Sequence, residues 1–316
     1  LLGFRLNRTN ETCIRVLQYL ARVATNKFTS KRRLMSKELI QKARKLAQEI
    51  VAPITESVDK EGRFPKEAYD ALKKQGFMGL LVPKEFGGLG FSIIEHSAVC
   101  YELARKDATT GLCYMMHNTG TSGIVSFGSA AMKDEFLPKI AKGERAIALA
   151  YSESGSGTHF GSPDISESLE NGARVLNGRK SFVTSALQAD FYMTNTNSCK
   201  IKGAHNTWLV DRTLPNMIHE DSAWDGLGMR GNASMPVQYN GVRVDEKYLV
   251  GKEGDGGNHA IAIVMYFVVG LAAVYTGLAQ AAYECILEHT KKRKYTSGQA
   301  LADIEMVRVQ LAEIYT

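Results

Sequence analysis

The sequence predicts an α+β protein, with an all-α N-terminal domain, a small antiparallel β-barrel or sandwich in the middle, and a helical C-terminal region. Three observations carry this. Apolar residues recur at helical spacing between residues 36 and 141, short β runs broken by Gly, Asn, Asp and Pro fill 146–249, and a long helical pattern returns from Gly256.

In chain order, Leu39, Ile40, Ala43, Leu46, Ala47 and Ile50 form one helical stripe over Ser36 to Ala52, which Pro53 is expected to stop. Pro65 to Gln75 reads as a second helix ended by Gly76. Ser92 to Lys106, Ala108 to Phe127 and Ala131 to Ala141 follow. The β runs include Ala146 to Tyr151, Phe191 to Thr194, Thr207 to Val210 and Val237 to Val244. Helices resume over Ile261 to Thr290 and Ala300 to Tyr315. The resulting division is a basic extension at 1–34, helical 35–145, β 146–249 and helical 250–316.

With 316 residues and 44% hydrophobic content the chain can bury a large core. The net charge of +6 is unevenly spread. Residues 1–34 hold eight basic residues against Glu11, a net of +7, and the rest sums to −1. The body therefore lacks the basic character of a nucleic-acid binder. The basic segment has three readings: an upstream translated segment, an Arg-rich transit peptide, or an extra helix near Thr12 to Ala24. Five separated cysteines without a C-x-x-C pair argue against disulfides and zinc and for a reducing compartment. That compartment is the cytoplasm, or the mitochondrial matrix if residues 1–34 are a transit peptide. The seven scattered histidines show no metal spacing.

The most informative stretch runs from Ala146 to Ala186. The strand ending at Tyr151 opens into Ser152-Glu153-Ser154-Gly155-Ser156-Gly157-Thr158, where small residues let the backbone approach a ligand and offer N–H and hydroxyl donors. Arg174 to Leu176 is followed by Asn177-Gly178, a type I′ hairpin signal, and the returning strand ends in Phe182-Val183-Thr184. The glycines follow G-x-G-x-x-x-G with no helix behind them, which excludes a dinucleotide-fold fingerprint.

These residues resemble the acyl-CoA dehydrogenase flavoprotein family. The 152–158 loop is similar to its T-E-P-G-A-G-S-D segment, and Phe182-Val183-Thr184-Ser185 to its W-I-T-N strand end. Gly76 to Pro83 with Phe86 to Gly90, Gly228 to Ser234, and Gly277 to Ala282 match three further family segments in order. The resemblance implies FAD, with Tyr151 and Ser152 near the reactive ring edge, Gly157 and Thr158 near the pyrophosphate, and Phe182 and Thr184 against the ring. It also implies α,β-dehydrogenation of an acyl-CoA thioester, electrons passing to an electron-transfer flavoprotein, and a homo-oligomer, tetramer or dimer. By the same resemblance the C-terminal bundle is incomplete here. The charge-free stretch Ala260 to Ala282, long enough to span a bilayer, becomes a bundle helix buried on most sides.

The departures bear on chemistry. Ser152, Ser154, His159 and Phe182 stand where the family usually has threonine, proline, aspartate and tryptophan. The family's glutamate base is expected beyond Thr316, and its minority position on the first bundle helix is Phe267, followed by Val268. Around Met265 the usual CoA-contacting polar residues are apolar, and R-x-T-F-G reads Lys294-Tyr295-Thr296-Ser297-Gly298. Glu153 invites the role of substitute base, but the family carries a glutamate there without that role; Glu95, Glu102 and Glu284 read as helix-face acids, and His159 as an exposed loop residue or a group beside the flavin phosphates. A flavin monooxygenase, or a non-catalytic scaffold, are the alternative functions.

Overall fold

The structure, a computed structural model, describes residues 30–157, 159, 161–220 and 224–315. Residues 1–29, with the readings attached to them, and Thr158 lie outside the described residues.

Helix α1 (Ser30–Leu46) buries Leu39, Ala43 and Leu46 at i, i+4, i+7. The expected stop at Pro53 is overturned. A π turn at Ala47–Val51 and a 3₁₀ turn at Ala52–Ile54 carry the chain into α2 (Thr55–Glu61). Proline is tolerated there because it opens the 3₁₀ turn, where its missing N–H leaves no donor unsatisfied. Helix α3 (Lys66–Lys74) ends before Gly76, whose φ of 78° reverses the chain.

Helix α4 (Ile93–Ala104) starts with a capping box. Ser92 N–H donates to the Glu95 carboxylate at 2.9 Å, the Ser92 hydroxyl accepts from Ile94 N–H, and Glu95 also accepts from Ser36 on α1 at 2.8 Å. Glu102 accepts a bidentate pair from Arg44 at 2.7 and 3.1 Å. Both acids are buried clamps between α1 and α4 rather than exposed helix-face residues. Helices α5 (Ala108–Phe127) and α6 (Ala130–Ala141) complete the domain.

Seven strands form one curled sheet: β1 (Ile147–Ala150), β2 (Ser166–Glu170), β3 (Ala173–Val183), β4 (Phe191–Asn197), β5 (His205–Asp211), β6 (Met217–His219) and β7 (Met235–Val244). Their order is β1-β4-β2-β3-β7-β6, with β5 beside β4. Pairing is antiparallel except for β1–β4 and the single β2–β4 pair Ser166–Asn197. The expected turn at Asn177-Gly178 is not formed. Two Asn-Gly pairs lie six residues apart, and the hairpin turns at Asn171-Gly172, with φ of 51° and 79°. Asn177-Gly178 instead sits inside β3 at a bulge against β7.

The helices and one face of β1, β4 and β5 share a core, while Ala148, Tyr192, Trp208 and Tyr239 belong to a second core inside the sheet. Strand β1 is buried on both faces, with Ile147 and Leu149 in the first core and Ala148 and Ala150 in the second.

Helix α7 (Gly256–Lys292) seats a stripe containing His259, Ala260, Ile263, Gly270, Val274 and Gly277 against α4 and α5. A Cβ on Gly277 would lie 2.6 Å from the Tyr101 carbonyl, so glycine sets this close approach. The expectation of burial on most sides is not met. Among the described residues α7 is the one helix long and apolar enough to cross a membrane, and 22% of its most apolar stretch is buried. Helix α8 (Glu305–Tyr315) follows.

Candidate functional site

The loop after β1 is held by a buried ion pair. Glu153 accepts from Lys180 Nζ at 2.6 Å, from Ile165 N–H at 3.2 Å and from Asp164 N–H, so both carboxylate oxygens are engaged. Lys180 also donates to the backbone and side-chain oxygens of Asn195. Burial pushes the Lys180 ammonium down to about 8, against the pull of Glu153. Glu153 is therefore a fixed structural anion that pins the loop to Asp164-Ile165, and it is not a free base.

The pinned loop borders two cavities, of about 730 Å³ and about 110 Å³, that share Met116, Ser152, Phe182 and Phe267 as walls. Gly157 lines the smaller one, with φ of 51° and no atom within 4 Å of the place a Cβ would take. A side chain there would be strained and would also occupy the open space. Tyr151 lines the same cavity, while its hydroxyl is buried beside Thr207 without good hydrogen-bonding geometry. Burial raises its pKa well above the usual tyrosine range.

Phe182 is aimed outward by the end of β3. Register against β7 slips between Lys180 and Val183, and Phe182 is left 55% exposed between buried Ser181 and Val183. Thr184, on the larger cavity, shares a 2.9 Å hydroxyl–hydroxyl bond with Ser234. The Gly228-to-Ser234 segment joins this wall because Ser185 N–H, at φ of 61°, donates to the Asn232 carbonyl at 3.0 Å. Phe267 faces the shared corner from α7.

Of the six residues predicted from sequence, five line this region: Tyr151, Ser152, Gly157, Phe182 and Thr184. Thr158 falls outside the described residues, and His159 is exposed. Sequence reasoning missed Met116, Trp224 and the polar end formed by Thr55, Asp59, Lys106 and Asp107. No spacing signal marks those, since they come from four separate segments. Asp107 caps α5, accepting from Thr110 N–H at 2.8 Å and the Thr110 hydroxyl at 2.6 Å. Its burial raises its pKa, which these bonds oppose. No cluster of metal ligands occurs among the described residues.

This arrangement of a helical domain, curled sheet and helices around the two adjoining cavities has known relatives. Residues 35–144 match the family description "Acyl-CoA dehydrogenase, N-terminal domain" and 148–242 match "Acyl-CoA dehydrogenase, middle domain". An acyl-CoA dehydrogenase of Bacillus subtilis (strain 168) is 30% identical over 276 residues, covering 86% of this chain and 72% of its own. Two solved structures share the fold. Butyryl-CoA dehydrogenase from Megasphaera elsdenii has a TM-score of 0.84 at 24% identity, covering 89% of this chain and 74% of that one. An FAD complex of PigA has a TM-score of 0.81 at 18% identity, again covering 89% and 74%.

The fold and site thus define an FAD-type oxidoreductase scaffold, and the chain belongs to the acyl-CoA dehydrogenase family. FAD is the family's cofactor. The residues present fit it. Phe182 offers an outward aromatic face, Ser152 a hydroxyl at its edge, and Gly157 an open backbone approach.

Proposed function

We propose that the chain binds FAD at the corner shared by Ser152, Gly157, Phe182 and Phe267, and dehydrogenates an acyl-CoA thioester held in the larger cavity. The observation that carries this reading is the convergence of the glycine loop, the β3 end and α7 on one corner. When bound, FAD supplies the hydride-accepting chemistry. Phe182 would offer the ring an apolar face, and the Ser152 hydroxyl would supply a donor for negative charge on the reduced cofactor. The Thr184–Ser234 hydroxyl pair orients a second donor on the same wall. Phe267 at the corner and Leu271 along the larger cavity make the α7 wall apolar. An electron-transfer flavoprotein is the proposed acceptor, and a homo-oligomer the proposed assembly.

Loss of an α-proton from the thioester requires a carboxylate within reach. Among the described lining residues the carboxylates are Asp59 and Asp107, and Asp107 is held by its capping bonds. At the corner α7 presents Phe267, the position the family resemblance gives for the base in a minority of members. That observation favours a second reading, oxygen-dependent chemistry on a reduced flavin, which needs no such base.

Two measurements test the proposal. Ser152→Ala and Phe182→Ala should lower FAD retention several-fold, while Ser168→Ala, half-buried on β2 and lining neither cavity, should not. Equal flavin content in all three would remove the corner from consideration. Anaerobic acyl-CoA should bleach the bound flavin; a flavin that stays oxidised, yet supports substrate oxygenation once reduced in air, would replace the first reading with the second.

A further inference from the structure

Trp224 has no structural task in either core. It is half-buried, belongs to neither apolar cluster, and lies edge-on to Phe182 with ring centroids 5.7 Å apart and planes at 87°. Its indole N–H donates to the Gly228 carbonyl at 3.4 Å. The fold-back that brings it there depends on Gly226, where a Cβ would run into the indole nitrogen. The chain's other tryptophan, Trp208, is fully buried and donates to Glu167 at 2.6 Å. An indole laid against a 55% exposed phenylalanine on a cavity wall is placed for a ligand rather than for packing.

We propose that Trp224 is a positioning residue of the ring site: it sets the pitch of Phe182 through the edge contact and forms a second aromatic wall beside the bound flavin ring. The inference rests on the flavin reading above. It also accounts for the smaller ring at position 182, because the indole of Trp224 restores aromatic area at the corner.

FAD affinity, FAD dissociation rate and the emission of bound flavin in the full chain test it, for wild type, Trp224→Ala and Trp224→Phe. Trp224→Ala should weaken FAD binding about 3- to 10-fold, the range for loss of one aromatic pair, speed dissociation and brighten the bound flavin. Trp224→Phe should recover affinity to within about twofold, since a ring is kept. Because Trp224 lies outside both cores, all three chains should melt together. Wild-type affinity and emission in Trp224→Ala would overturn the proposal, as would a lowered melting temperature that accounts for the loss. If wild type retains no FAD, or if Ser152→Ala and Phe182→Ala bind it as wild type does, the flavin reading itself fails and this inference falls with it.

Discussion

Glu153 has the chemistry of a base and sits in the right loop, yet its neighbours decide its role. Lys180 Nζ and the N–H groups of Asp164 and Ile165 occupy its oxygens in a site where both side chains are almost fully buried. Breaking such a pair strands a buried charge, which costs about 3–5 kcal/mol. Lys180→Met should therefore destabilise the chain by about that much, read as a shifted urea midpoint, and should loosen FAD retention because the loop loses its anchor. Lys180→Met/Glu153→Gln should recover part of the stability. A Lys180→Met chain as stable as wild type would show that the pair carries no such weight.

The elements are joined by histidines kept neutral. His117 on α5 accepts from Ile147 N–H of β1 at 3.2 Å through Nδ1 and donates from Nε2 to the Met78 carbonyl at 3.0 Å. An amide N–H can only donate and a carbonyl only accept, so the partners set the tautomer, and a proton on Nδ1 would face another donor. Burial pushes His96, His117 and His259 down to about 4 from an ordinary 6.5. The unfolded chain takes up these protons first. The stabilisation is therefore complete above pH 6.5 and is lost as pH falls through 4. Each histidine should add about 1.4 kcal/mol per pH unit to the loss within that window. Unfolding midpoints at pH 7, 6 and 5 check this, and His117→Gln should flatten the slope by one proton's worth. An unchanged slope in that variant would place the acid sensitivity elsewhere.

At the scale of the whole molecule, β1 is the seam between the helical core and the sheet core, and α7 closes the cavity between them. The near-neutral charge and the family match both begin near residue 35, while α1 begins at Ser30. Deleting residues 1–29 should then leave the melting temperature and FAD content almost unchanged. A large drop in either would make the basic segment part of the folded body.

Local patterns determined much of this protein. The stripe of α1, the limits of α5 and the cavity-lining places of Tyr151, Ser152, Gly157, Phe182 and Thr184 were legible because each depends on neighbours within a few positions. Tertiary structure decided what sequence spacing leaves degenerate. Which Asn-Gly pair turns the hairpin depends on the partner strands of β3, since both satisfy the same local geometry. Pro53 fails to end the helical path because it falls at the opening of a 3₁₀ turn, where no N–H is needed from it. Glu153 became an anchor and Trp224 a wall of the site because their partners, Lys180 and Phe182, lie 27 and 42 residues away along the chain. The chemistry of a side chain is written in the sequence, but its desolvation and its partners are set only when distant segments meet.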